Sequence, residues 1–258
     1  MPFARCHRAG RVHYAERGEA RPGHWPALLI HGAGASSAIW MMVMARMARF
    51  TRAVAIDLPG HGPSPELERP GAPPLADYRD AAGELAALTG LGPSVLVGHS
   101  MGALIAIQAA LAWPDKVVGL VLCAAAPRLP VSRDLMKVID EDYARFPAWL
   151  AERALSASAK PALRRAFVAA GVAAPQAVTR ADFQAIDGLD LGPSLAQVRC
   201  PMVWIDGADD GIVCERGTRP GEILVARDVG HLVPLEAPAE VAGVTSHLAK
   251  KVSAAFAR

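Results

Sequence analysis

The stretch Val95-Leu96-Val97-Gly98-His99-Ser100-Met101-Gly102-Ala103-Leu104-Ile105-Ala106-Ile107-Gln108-Ala109-Ala110-Leu111 decides how this chain is read. An apolar run of strand character enters Gly-x-Ser-x-Gly, and a strong helix former follows at once. Serine at that junction predicts a sharp, strained turn. The flanking glycines leave room for neighbouring backbone, and the hydroxyl is held outward at the positive end of the helix, where an oxyanion is stabilised. An ordinary strand-to-helix turn with an N-cap serine has the same letters. The rest of the chain separates the two readings, and it points to acyl-transfer chemistry at Ser100.

On either side of the motif, short apolar runs alternate with helix-length segments, the pattern of an α/β fold with a mostly parallel sheet. Strands are expected at Val12–Ala15, Ala27–Ile30, Ala53–Ile56, Ser94–Val97, Val117–Cys123, Met202–Ile205 and Glu222–Ala226. Helices are expected near Ile39–Phe50, Leu75–Leu88, Met101–Ala112 and Pro238–Phe256, with a proline-rich loop at Pro63–Pro74. The alternation stops between Pro127 and Leu195. No strand-like run occurs there, and Ile139–Leu155 and Ala162–Val172 read as amphipathic helices. The expected organisation is therefore a core of residues 1–126 and 196–258 with a helical cap at 127–195. The cap is expected over the carboxyl ends of the strands, where open α/β sheets bind ligands.

Composition narrows the class. With 52% hydrophobic and 20% charged residues, the chain buries a core rather than remaining disordered. Its 27 basic and 25 acidic residues are interspersed, which argues against nucleic acid or a polybasic membrane patch as partner. Cys6, Cys123, Cys200 and Cys214 lie far apart without a Cys-x-x-Cys pair, so neither a disulfide scaffold nor a metal site is expected. The amino terminus lacks an apolar leader, and no stretch reaches the length of a membrane span. A cytoplasmic protein is expected.

An activated serine needs a base, and the base needs an orienting acid. His231 follows the last strand and precedes the last helix, a position from which it could reach Ser100. The acid is sought after Met202–Ile205, in Asp206-Gly207-Ala208-Asp209-Asp210-Gly211. The Gly-x-x-Asp spacing favours Asp210, with Asp209 next and Asp206 third. The end of the preceding strand, Cys123-Ala124-Ala125-Ala126-Pro127, offers no carboxylate. Donors for a developing oxyanion are expected from the backbone N–H of Met101 and of Ala33, in the loop His31-Gly32-Ala33-Gly34-Ala35-Ser36. Asp57 and His61, in Asp57-Leu58-Pro59-Gly60-His61-Gly62, read as scaffold hydrogen-bonders.

In chain order, His31-Gly32-Ala33-Gly34, Asp57-Leu58-Pro59-Gly60-His61-Gly62, Gly98-His99-Ser100-Met101-Gly102, the Gly207 to Asp210 turn and Gly230-His231 resemble the motifs of the α/β-hydrolase family, from about residue 12 to 250. The resemblance implies an eight-stranded, mostly parallel sheet with a helical cap, and an acyl-enzyme mechanism that needs no cofactor. It implies Ser100 as nucleophile, His231 as base and Asp210 as acid. One departure from the family pattern is the segment Glu215-Arg216-Gly217-Thr218-Arg219-Pro220-Gly221, whose glycines and proline argue against the helix many relatives carry there.

Serine at the elbow disfavours haloalkane dehalogenases and epoxide hydrolases, which use a carboxylate. The small residues after His31 weaken a perhydrolase reading. The cap holds no histidine, and its nine Lys/Arg nearly balance eight Asp/Glu, so a strongly anionic substrate is not called for. Tyr143, Phe146, Trp149, Phe167 and Phe183 are expected mainly as core of the cap, and Met41, Met42, Met44 and Met47 as core filler. The expected activity is hydrolysis of a small to medium apolar carboxylic ester. A lactonase, a carbon–carbon bond hydrolase and a slow-turnover small-molecule sensor are the alternatives.

Overall fold

In the computed structural model the described residues are 2–7, 9–66, 75–213 and 215–256. Eight strands form one sheet: β1 (Phe3–Cys6), β2 (Gly10–Arg17), β3 (Ala27–Ile30), β4 (Ala53–Ile56), β5 (Ser94–His99), β6 (Val117–Cys123), β7 (Met202–Gly207) and β8 (Glu222–Ala226). Their order across the sheet is β1-β2-β4-β3-β5-β6-β7-β8. β1–β2 and β2–β4 pair antiparallel, and every later pairing is parallel.

The apolar runs read as central strands are buried on both faces. Leu28, Ile30, Val54, Ile56, Leu96, Leu120 and Leu122 point to one face, with α2 (Leu75–Leu88) and α3 (Met101–Ala112). Their strand neighbours Ala27, Leu29, Ala53, Ala55, Val95, Val97 and Val121 point to the other, with α1 (Met41–Met47) and α9 (Pro238–Phe256). The period-two side-chain alternation thus divides one continuous hydrophobic strand between two cores.

Between β6 and β7 the chain runs through α4 (Arg133–Glu141), α5 (Phe146–Ala154), α6 (Pro161–Ala170) and α7 (Gln176–Ile186). The continuous helix expected over Ile139–Leu155 is broken at Asp142, whose backbone leaves helical geometry (φ −149°). Its carboxylate accepts the Arg145 N–H and starts a short 3₁₀ turn, and Pro147 sits in the first turn of α5. Expected from Ala162 to Val172, α6 instead stops at Ala170 because Gly171 takes φ +69°. The expected helix Ile39–Phe50 is a 3₁₀ turn, Ser37–Trp40, followed by α1. Met44 and Met47 are buried there, but Met42 is 52% exposed and is not core filler. α8 (Val233–Glu236) is a single turn ahead of α9.

No helix is present over 215–221. Arg219 holds that segment down by a bidentate pair to Asp206 (2.9 and 2.7 Å), its guanidinium 5.0 Å from the Trp204 ring centroid. Part of the expected loop, residues 67–74, and Cys214 lie outside the described residues, while Cys6, Cys123 and Cys200 are free thiols. Among the described residues no helix is long and apolar enough to cross a membrane.

Candidate active site

Ser100 leaves β5 with φ +52° and ψ −119°, a region that side-chain-bearing residues seldom occupy and that costs about 1–3 kcal/mol. The turn is held from both sides. Ser100 N–H donates to the Cys123 carbonyl (3.0 Å), and the Ser100 carbonyl accepts from Ala103 N–H (2.9 Å). Both glycines of the motif are required by close backbone approach. A Cβ at Gly98 would lie 2.4 Å from the Gly102 carbonyl oxygen, and one at Gly102 would lie 2.2 Å from that of Ile30. α3 can therefore pack directly on the end of β3, with Met101 as its first residue and the Met101 N–H among those left free at a helix start.

The loop after β3 wraps the same place. His31, fully buried, donates from Nδ1 to the Gly32 carbonyl (2.8 Å) and accepts the Leu58 N–H at Nε2 (3.0 Å). Burial, and then the neighbouring His61, hold its pKa well below the usual histidine value, so it stays neutral. Ala35 N–H donates to the Gly32 carbonyl (3.2 Å) and Gly34 N–H to the Asp182 carboxylate (3.0 Å). Among the described residues no group accepts the Ala33 N–H, and Ala33 lines the cavity beside Ser100.

Three carboxylates stand at the end of β7 and just beyond it, and each has a different principal partner. Asp206 pairs with Arg219, and Asp209 accepts the Ser156 hydroxyl (2.6 Å). Asp210 is the one on His231, with Nδ1 3.2 Å from Oδ1 and 3.1 Å from Oδ2. Its Oδ1 also accepts the N–H groups of Ile212 (2.9 Å) and Val213 (3.0 Å). Burial alone would raise the Asp210 pKa. Its hydrogen bond to His231, the charge of that ring and the two amides reverse the sign, so the pKa lies below the usual value.

The His231 loop is gripped by the end of α5: His231 N–H donates to the Ala154 carbonyl (2.6 Å). Glu236 bridges the same two parts by accepting Gly230 N–H (3.0 Å) and Ser156 N–H (2.9 Å).

Ser100 and His231 line one cavity of about 420 Å³. Among the described residues no hydrogen bond joins the Ser100 hydroxyl to His231, a contact of the kind that tightens when substrate binds. Among the described residues no Asp, Glu, Lys or Arg lines the space, whose walls are small residues of the Gly32–Ser36 loop and apolar side chains of α4 to α7. Phe146, Phe167 and Phe183 pack in the hydrophobic clusters of this segment, as expected, and also line the cavity. Phe146 is buried against Leu135, Ile139 and Trp149.

Sequence reasoning missed three residues. His99 donates from Nε2 to the His231 carbonyl (2.9 Å), and burial, followed by the charge of His231, pulls its pKa down to about 3. Glu236, just ahead of α9, carries no sequence signal of its bonds to Gly230 and Ser156. Asp182 reads in the sequence only as one of eight acids between residues 127 and 195, yet it is fully buried and accepts from His61, Tyr78 and Gly34. Asp57, in contrast, ties Ser37 N–H and His13 together away from the cavity, as a scaffold residue does.

With this geometry in view, the chain was compared with known proteins. The family model described as "Alpha/beta hydrolase family" matches residues 27–244. The chain is 32% identical over 220 residues to a pimeloyl-[acyl-carrier protein] methyl ester esterase of Xanthomonas oryzae pv. oryzae, covering 78% of this chain and 83% of that one. It is 26% identical over 250 residues to an (E)-2-((N-methylformamido)methylene)succinate hydrolase of Acinetobacter baylyi, covering 89% and 90%. Its fold superposes on a thermophilic esterase from Thermogutta terrifontis with a TM-score of 0.82 at 24% identity, covering 98% and 100%. A strained serine between β5 and α3, a sheet with eight strands in this order, and a family match across most of the sequence lead to one conclusion: the chain is an enzyme of the alpha/beta hydrolase family.

Proposed function

We propose that this enzyme cleaves a small to medium apolar carboxylic ester through an acyl-enzyme intermediate on Ser100. The observation that carries the reading is the His231–Asp210 hydrogen bond at a cavity that Ser100 also lines and that no charged side chain enters among the described residues. A volume of about 420 Å³ suits an ester of that size. The similarity to a methyl ester esterase supports the same bond type.

Asp210, an acceptor, keeps the His231 proton on Nδ1 and leaves Nε2 free to take the Ser100 hydroxyl proton. Ser100 Oγ then attacks the carbonyl carbon, and the oxyanion is stabilised by the Met101 and Ala33 N–H groups. As the tetrahedral intermediate collapses, the carbon–oxygen bond to the alcohol breaks, and His231 passes its proton to the departing oxygen. Water, deprotonated by the same ring, attacks the acyl carbon; the bond to Ser100 Oγ breaks, His231 returns the proton to Oγ, and the acid is released. Residues 127–195 act as the cap, supplying the apolar wall that selects the substrate and excludes water.

The test is a turnover screen across p-nitrophenyl esters of increasing chain length, lactones and diketones, with Ser100→Ala as control. Ester hydrolysis that disappears in the control supports the proposal. Faster turnover of lactones or diketones transfers the triad to a lactonase or carbon–carbon hydrolase, and tight binding with turnover below about one event per hour identifies a sensor.

A further inference from the structure

Gly34 follows the proposed oxyanion donor Ala33, and both of its polar backbone groups are held by the segment between β6 and β7. Its N–H donates to Asp182 Oδ2 (3.0 Å), and its carbonyl accepts the Ala173 N–H (2.9 Å). The next link is also backbone, with Gly62 N–H on the Ala173 carbonyl (2.6 Å). Gly34 itself has φ +63°, and a Cβ there would stand 2.9 Å from Val172 Cγ1. The 171–175 stretch is fixed in turn by Tyr143, whose hydroxyl donates to the Ala174 carbonyl (2.7 Å) while its oxygen lies 2.7 Å from Thr179 Oγ1.

Asp182 sits at the centre of this arrangement on α7, with none of its surface exposed. Oδ1 accepts the Tyr78 hydroxyl (2.8 Å) from α2, and Oδ2 takes His61 Nε2 (2.8 Å) as well as Gly34. The His61 ring faces an acceptor at each nitrogen, because its Nδ1 lies 3.0 Å from the Pro59 carbonyl. One proton beyond a neutral imidazole and a carboxylate therefore belongs to the His61–Asp182 pair. No such cost is needed for packing alone, since a buried ionic pair contributes little net stability relative to apolar residues of the same volume. Such a pair does hold geometry.

We propose that Asp182 is a positioning residue for the reaction: through Gly34 it sets the orientation of the Ala33 N–H toward the oxyanion. This rests on the hydrolase mechanism above. An amide aimed at the oxyanion contributes only if it is held before the reaction begins, and a shift of a fraction of an ångström forfeits much of its effect.

The experiment compares Asp182→Leu, which keeps the side-chain volume but can accept nothing from Gly34, with wild type on a short p-nitrophenyl ester, and measures affinity for a boronic acid (tetrahedral mimic) and for the uncharged alcohol product. The expected result is a fall in kcat of about 10- to 100-fold with KM changed less than about 3-fold, and a matching loss of boronate affinity only. His61→Gln, which leaves the Gly34 bond in place, lowers thermal stability but keeps kcat within about 3-fold. If Asp182→Leu does not fold, the double variant Asp182→Leu with His61→Phe, in which two apolar side chains replace the buried pair, takes its place in the same measurement.

Unchanged kcat and boronate affinity in a folded variant overturn the proposal, as does an equal loss of boronate and alcohol binding. Inactivity of wild type toward every ester, lactone and diketone would instead remove the mechanism itself, which separates the two failures.

Discussion

Replacing Asp210 by asparagine changes one atom and tests the arrangement around His231 more sharply than any truncation. The new amide oxygen can take the place of Oδ1 and keep the Ile212 and Val213 N–H bonds of 2.9 and 3.0 Å, so the loop has no reason to move. The amide nitrogen then stands where Oδ2 was, 3.1 Å from His231 Nδ1, and it can only donate. The amide nitrogen favours a lone pair on Nδ1 in competition with the amide oxygen 3.2 Å away, and a ring in that tautomer carries its proton on Nε2, the nitrogen that takes the Ser100 proton in the proposed mechanism. The negative charge that steadies the imidazolium is lost as well.

A drop in kcat of about 10³- to 10⁴-fold is expected, equivalent to about 4–5.5 kcal/mol of barrier. Asp209→Asn is the matched control. Its partner is the Ser156 hydroxyl at 2.6 Å, which an amide oxygen also accepts, so kcat should stay within about 3-fold. The assay is initial-rate hydrolysis of a p-nitrophenyl ester with circular dichroism to verify folding. A loss smaller than tenfold in a folded Asp210→Asn protein, or a larger loss in Asp209→Asn, would refute the assignment of the acid.

Three further outcomes are expected. Ser100→Gly abolishes turnover and yet raises Tm by about 2–4 °C, because glycine relieves the φ +52° turn; differential scanning calorimetry checks it. Gly102→Ala costs at least about 3 kcal/mol in urea unfolding, since its Cβ would meet the Ile30 and His31 carbonyl oxygens at 2.2 and 2.5 Å, whereas Gly243→Ala, with nothing within 4 Å, is neutral or slightly stabilising. The third concerns His61. Burial lowers its pKa, but the Asp182 charge and hydrogen bond outweigh burial, so the folded value lies above 6.5. Its contribution to stability is therefore complete below pH 6.5 and is lost as pH rises through the folded pKa. A plot of ΔG against pH should fall over that range in wild type and flatten in His61→Gln.

Much of this was legible in the sequence because the signals were local. Central strands such as Ala27–Ile30 and Ala53–Ile56 are unbroken apolar runs, and the observed bounds agree with the expected ones. Ser100 and the glycines around it announce a turn that few other residues could form. The edges were harder. β1, Phe-Ala-Arg-Cys, is short and carries a charge, and it is a strand only because it pairs antiparallel with β2 through Phe3↔His13 to Cys6↔Gly10.

The segment between β6 and β7 was misread where a single residue overrode a pattern. Asp142 broke the apparent Ile139–Leu155 helix by capping the next turn. In α7 only Val178, Phe183 and Ile186 are large apolar residues, set among alanines and polar side chains, so its helical pattern is weaker than that of the two segments singled out. Asp182, 121 residues from His61 along the chain, could not be paired with it by any reading of spacing. A carboxylate whose partners all come from distant elements looks like any surface acid until the chain is folded.

The two grips of the inserted helices have a practical meaning for anyone who wishes to reshape substrate choice. Residue 154 holds the amide of His231 at 2.6 Å, and residues 173 and 182 hold Gly34. Transplanting a foreign helical segment onto this sheet would import a new pocket wall and, with it, new anchors for both loops. Chimeras made by exchanging 127–195 wholesale should therefore be designed with an acceptor for residue 231 and a carboxylate for residue 34 retained, so that selectivity is altered on a framework still able to turn over.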